Sequence, residues 1–365
     1  MTTTRESEAA PAADRSLERA KSAWKPRLLA NGVEPYDYER TTARVKHWED
    51  WPSAWDEVAR EHARSAEQAA GDGRPATAAN YARLAALAHH FAYFALPRPR
   101  AAWIAAQRAK AILYRKAAPY LDPPAEHVEI PLEGVRLPGY LRKPRDVARP
   151  AVVLFLSGLD STKEEHATFE AVLLRRGLAT LTFDGPGQGE VWEHMPGRVD
   201  WEKAATAAVD FVHTRADLDA TRIGTLGVSL GGYLAARSAS LEPRLRAVAV
   251  CGGRFDQAAR ELDDPLHVPR LLHFWNVEGI EDLVPKLQAS TLDGVIQRLN
   301  SPLLVVHGDL DTLSPTAGAR RIYDAAPVQD KQWVLYPEGN HVCNNIPHHY
   351  RPLVADWLAE RLGAS

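Results

Sequence analysis

The chain has 365 residues, 45% of them hydrophobic, which is enough to bury a sizeable core in one large domain plus a smaller one. Lys and Arg number 44 against 47 Asp and Glu, a near balance that argues against a nucleic-acid polymer as the main partner. Two cysteines, Cys251 and Cys343, cannot form a disulfide framework, and no Cys-x-x-Cys zinc pattern or ~18-residue apolar span occurs.

Residues 1–18 are small, polar and proline-containing, and they read as a disordered tail without the apolar core of a signal peptide. A soluble, cytoplasmic protein with no membrane partner is expected. Residues 19–124 carry helical patterns. One runs over 54–70, with Ser53 as its cap and Gly71-Asp72-Gly73 as its stop. A second runs over 77–94, with Tyr81, Leu84, Leu87 and Ala88 at helical spacing, and a third over 101–118 after Pro97-Arg98-Pro99. His89 and His90 are adjacent helical positions that point apart, so no metal is expected there.

After Pro123-Pro124 the period changes. Residues 126–131 and 135–143 read as two strands joined at Glu133-Gly134. Short apolar runs at 151–156, 178–183, 223–228, 245–250, 303–306 and 332–336 read as buried strands. Helical stretches at 163–176, 201–215, 316–326 and 350–362 alternate with them, which predicts a mostly parallel sheet covered by helices on both faces. The pattern lapses over 254–299, too long for a bare connection, so an insertion over the sheet edge is expected.

Gly227-Val228-Ser229-Leu230-Gly231 lies between a strand pattern and a helix pattern, the context of a nucleophile elbow. A serine needs a base, and the base needs an orienting acid, in the chain order Ser, Asp, His. Asp309 and Asp311 both follow the 303–306 strand; Asp311 lies farther into the loop and is assigned the acid, while Asp309 braces the turn. His341 follows the last strand and is assigned the base, with His348 and His349 on the surface and Cys343 a small apolar neighbour. The amides of Leu230, opening a helix, and Leu159, after Gly158, are the expected oxyanion donors. Asp184-Gly185-Pro186-Gly187-Gln188-Gly189 departs from Gly-x-Gly-x-x-Gly, so it reads as a structural turn rather than a nucleotide loop, and no cofactor is expected.

Three segments, 158–165, 183–190 and 228–232, resemble the α/β-hydrolases, narrowly the branch of 2,6-dihydroxypseudooxynicotine hydrolase, the yellowish-green pigment polyketide hydrolase and the fermentation-respiration-switch-like esterases. The resemblance covers residues 125–365 and implies the α/β-hydrolase fold, with an N-terminal helical lid and dimerisation domain over 19–124 and a lid insertion at 254–299. It carries a triad onto Ser229, Asp311 and His341, and implies a homodimer. It implies cleavage of an ester or a ketone-activated C–C bond in an aromatic or polyketide-like small molecule. For C–C cleavage it implies an auxiliary carboxylate, here Asp263 in place of a glutamate. Phe91, Tyr93, Phe94, Trp103, Phe274 and Trp275 in the covering segments are the expected pocket aromatics. Two other readings of the fold are an eliminating or cyclising enzyme with His341 as base and no acyl-enzyme, and a non-catalytic binding protein.

Overall fold

The structure, a computed structural model, describes residues 12–95, 99–258, 262, 264 and 266–364. Five helices come first: α1 (Ala12–Ala30), α2 (Pro35–Arg44), α3 (Asp50–Gly71), α4 (Pro75–Tyr93) and α5 (Arg100–Ala117). Of the expected tail, residues 12–18 are therefore helical. The helix expected over 54–70 also begins earlier, at Asp50. Asp50 accepts the amides of Lys46 and His47 just ahead of it, and Ser53 lies inside the helix with its hydroxyl donating to the Asp50 carbonyl. The unit has its own core, built on Trp51, Trp55 and Phe91. Trp24 of α1 meets Trp51 edge-on at 5.2 Å and Phe94 at 4.8 Å, the edge-to-face geometry favoured by ring quadrupoles.

The rest alternates as predicted: β1 (Ala125–Leu132), β2 (Val135–Arg142), β3 (Val152–Leu156), α6 (Ala167–Leu174), β4 (Ala179–Phe183), α7 (Glu202–His213), β5 (Ile223–Val228), α8 (Leu230–Leu241), β6 (Leu245–Cys251), α9 (His267–Trp275), α10 (Ile280–Ala289), β7 (Leu303–Gly308), α11 (Thr316–Ala325), β8 (Lys331–Tyr336) and α12 (Pro347–Arg361). The eight strands form one sheet in the order β1-β2-β4-β3-β5-β6-β7-β8. Pairing is antiparallel for β1/β2 and β2/β4 and parallel from β4 to β8. Glu133 and Gly134 both have positive φ, as a two-residue hairpin turn matched to strand twist requires.

Side chains alternate between two cores. Val152, Leu154 and Leu156 of β3 face α7, α8 and α11, whereas Val153 and Phe155 face α6 and α12. With both faces covered, every residue of β3 and β4 is buried, which is why these strands read as unbroken apolar runs. The long break between β6 and β7 contains α9 and α10. The central strand β5 ends at the elbow, so the carboxyl edge of the sheet carries the chemistry. Among the described residues no helix is long and apolar enough to cross a membrane.

Candidate active site

Ser229 has φ 57° and ψ −121°, the strained conformation expected where a strand turns abruptly into a helix. The small neighbours make that turn feasible. A Cβ on Gly227 would lie 1.9 Å from the Gly231 carbonyl oxygen, and one on Gly231 would lie 2.1 Å from that of Leu156. The Ser229 hydroxyl is thereby held off the backbone, 2.8 Å from His341 Nε2. His341 Nδ1 is 2.8 Å from Asp311 Oδ2 and 3.0 Å from Oδ1.

Asp311 is fixed from its other side. Its Oδ1 accepts the amides of Leu313 and Ser314 at 2.9 and 2.8 Å. Burial pushes its carboxyl up, but the adjacent His341 and these backbone donors outweigh that and hold it below its ordinary value. His307 closes the same loop, with Nε2 donating to the Ser314 carbonyl at 2.8 Å. Asp309 is exposed and accepts from the Thr316 hydroxyl at 3.4 Å. Cys343 is buried, and burial raises its thiol to about 12, which keeps it un-ionised.

The Gly158 turn lies against the elbow, with a Cβ on Gly158 falling 3.3 Å from Ser229 Cβ. Gln188 sets its orientation. The Gln188 amide donates to the carbonyls of Ser157 and Gly158 at 3.0 and 2.9 Å. The Gly158 C=O and the Leu159 N–H share one trans peptide plane and point oppositely, so anchoring the first aims the second. The glycines of the 184–189 loop are there for packing: Cβ atoms would meet Trp201 at Gly185 (2.2 Å), Phe274 at Gly187 (2.8 Å) and Asp184 at Gly189 (2.0 Å). Nearby, Glu164, Asp184 and Glu190 offer oxygens within 4.8 Å of one another, and Lys163 Nζ fills that cluster at 2.7, 2.7 and 2.8 Å.

Ser229 and His341 open into a cavity of about 260 Å³. Its apolar wall comes from Phe155, Phe169 and Tyr350 on the α6/α12 side, with Trp24 from α1 and exposed Leu310 and Leu313 at its mouth. Its polar wall is a buried ion network. Asp160 accepts from Arg27 of α1 at 2.7 Å and from Arg270 of α9 at 2.6 Å, while Glu165 accepts from Arg27 at 2.7 and 2.8 Å and from Asn31 at 2.6 Å. Burial opposes ionisation of Asp160, but the two guanidiniums hold its carboxyl well below the ordinary range. His89 and His90 do point apart, the first to Asp56 at 3.0 Å and the second to Glu165 at 3.0 Å.

The expected pocket aromatics do not line this cavity. Phe91 is fully buried in the helical unit's core, with Tyr93 and Phe94 in the same cluster. Trp103 packs on Trp192 and His273, at 5.1 and 4.3 Å, and borders a smaller adjoining void. Phe274 and Trp275 of α9 pack toward α8 and α10, where they wall a separate apolar void with Leu230 and Tyr233. The rings are taken up by packing within the helical unit, against α8 and α10, or, for Trp103, against Trp192 and His273. Asp263 lies outside the described residues; its neighbour Asp264 accepts the amides of Leu266 and His267 at the start of α9. Trp24, Arg27 and Arg270, which do wall the cavity, carried no motif that marked them.

A mostly parallel sheet with a positive-φ serine elbow after its central strand, and an acid and a histidine delivered from the ends of β7 and β8, defines an α/β-hydrolase. The sequence profile described as "Esterase FrsA-like" matches residues 42–362, and the chain belongs to that family. It is 34% identical over 340 residues to the 2,6-dihydropseudooxynicotine hydrolase of Paenarthrobacter nicotinovorans, covering 93% of this chain and 91% of that protein. The crystal structure of the 2,6-dihydroxy-pseudo-oxynicotine hydrolase superposes with a TM-score of 0.85 at 34% identity, over 93% of this chain and 95% of that one. The 20-hydroxy-prefusarin hydrolase FUS2 of Gibberella moniliformis is 36% identical over 247 residues, 62% of this chain and 57% of that protein. The protein is therefore a hydrolase of this fold.

Proposed function

We propose that the protein is a serine hydrolase that cleaves an ester or a ketone-activated C–C bond in an aromatic or polyketide-like small molecule. The observation that carries this reading is the continuous line Asp311 Oδ2–His341 Nδ1 and His341 Nε2–Ser229 Oγ, 2.8 Å at each link. Ser229 attacks the acyl carbon while His341 Nε2 takes its proton, and Asp311 holds Nδ1–H so that Nε2 stays free to accept. The amides of Leu159 and Leu230 receive the oxyanion. His341 returns the proton to the leaving group and then activates water to release the acyl group. The names of the 2,6-dihydropseudooxynicotine and 20-hydroxy-prefusarin hydrolases support the substrate class, as does the aromatic wall of Phe155, Phe169 and Tyr350. Trp24, Arg27 and Arg270 in the cavity wall support a covering role for the helical unit and the insertion.

The test is covalent labelling by a fluorophosphonate, read by intact mass. Wild type should gain one adduct and Ser229→Ala none; an equally labelled Ser229→Ala would overturn the assignment.

Gln188 is a positioning residue in this account. Gln188→Ala releases the Gly158 carbonyl and so the Leu159 amide, and should lower kcat for 4-nitrophenyl butyrate by roughly 10–100-fold, less than loss of a whole oxyanion donor. KM should change by less than about threefold, because the oxyanion contact forms only in the transition state. A rise in KM with unchanged kcat would contradict this role.

A further inference from the structure

The cavity wall contains a histidine that the Ser229–His341–Asp311 line does not use. His166 is 4% exposed and lies flat on Phe155, with centroids 4.2 Å and planes 22° apart. Its Nε2 is 2.9 Å from the Ser157 hydroxyl. That hydroxyl is fully buried and has no other hydrogen-bonding partner among the described residues. If the imidazole donated, the hydroxyl hydrogen would be sealed in with nothing to accept it, an arrangement folded proteins avoid. Ser157 therefore donates, Nε2 accepts, and a neutral ring carries its proton on Nδ1. Burial keeps the ring neutral by pulling its pKa down to about 4.

Nδ1 itself has no partner among the described residues. Unlike the buried, unpartnered Nδ1 atoms of His90 and His307, it is not sealed in the protein interior. It opens onto the cavity that Ser229 and His341 also line. The site thus presents a second donor for a substrate oxygen, distinct from the two oxyanion amides. A neutral imidazole N–H suits a carbonyl that becomes an enolate, because its hydrogen bond strengthens as charge develops.

We propose that His166 Nδ1–H binds the second carbonyl oxygen of a 1,3-dicarbonyl substrate, the one conjugated with the leaving carbon. The proposal rests on the serine-hydrolase reading above. Ser229 Oγ bonds to the first carbonyl carbon, and its proton passes to His341. The C–C bond between that carbon and the central carbon breaks, and its electron pair becomes the enolate whose oxygen His166 holds. His341 protonates the central carbon, and water then hydrolyses the acyl-enzyme. The net change is diketone plus water to one carboxylic acid and one ketone.

The test compares 1-phenylbutane-1,3-dione with 4-nitrophenyl butyrate, whose leaving group carries no such oxygen. His166→Phe keeps the stacking ring and removes the donor; His166→Asn restores an N–H near the position of Nδ1. The ratio of kcat/KM, dione over ester, should fall about 30-fold in His166→Phe, the scale of a charge-assisted hydrogen bond. It should return to within about threefold of wild type in His166→Asn. Loss of equal size on both substrates, or no loss on either, overturns the role. Long-range proton–nitrogen NMR of histidine-labelled enzyme should show the Nδ1–H tautomer at His166, and the Nε2–H form overturns the assignment directly. An enzyme labelled at Ser229 that neither cleaves the dione nor binds it as Ser229→Ala overturns the substrate class alone; a wild type that takes no fluorophosphonate overturns the serine reading instead.

Discussion

Asp311→Asn is expected to lower kcat by about 10⁴-fold while leaving the fold intact. The direction of the effect follows from how the carboxylate is held. Asp311 Oδ1 accepts the amides of Leu313 and Ser314, so in the variant the carboxamide oxygen stays on that side. The NH2 group then occupies the place of Oδ2, facing His341 Nδ1. Two donors cannot share that contact, so the imidazole moves its proton to Nε2. It can no longer take the Ser229 proton across the 2.8 Å contact. The measurement is kcat for an aryl ester alongside the thermal midpoint. A variant that keeps most of its turnover would show that Asp311 does not orient the base.

The second large effect is on stability. Asp160→Asn should destabilise the protein by about 3 kcal/mol, because it leaves Arg27 and Arg270 in a buried site with one carboxylate fewer. The three side chains are 13%, 17% and 9% exposed, so solvent screens them little. For a chain of this length the thermal midpoint should fall by about 4 °C. The effect depends on pH in a defined direction. The folded-state carboxyl lies below its unfolded value, so the stability it contributes is complete above the unfolded value of ~3.9 and is lost as pH falls from there toward the folded one. The gap between wild type and Asp160→Asn should therefore be widest near neutrality and shrink below about pH 4. A gap that stays constant to strong acid would mean that charge is not what Asp160 supplies.

Much of the sheet was legible because it is buried on both faces. Val152–Leu156 and Ala179–Phe183 could be read as strands since no polar alternation was needed, and the Glu133-Gly134 turn marked the hairpin register. The elbow was legible because its glycines are dictated by backbone contact rather than by side-chain chemistry. The cavity wall was not. Phe91, Trp103, Phe274 and Trp275 looked like ligand surface because they are aromatic and lie in segments expected to cover the site, yet a large ring fills a core as readily as it binds a ligand. Conversely, Lys110 looks like a solvent-facing helix residue, but it is fully buried against Thr162 at 2.7 Å and Glu164 at 3.2 Å. Lys163, Glu164 and Glu165 are hidden in the same way, and Arg27 is largely covered. Sequence patterning assigns charges to the surface, and only the partners, far apart in the chain, reveal that these are inside.

Rapid acid quench during steady-state hydrolysis of 4-nitrophenyl butyrate, followed by peptide mapping, asks whether Ser229 carries the acyl group during turnover. A butyryl group is expected on the peptide that carries Ser229, absent when Ser229 is alanine and formed far more slowly in His341→Ala. Turnover that persists in Ser229→Ala and depends on His341, with no acylated peptide at any time, would contradict it.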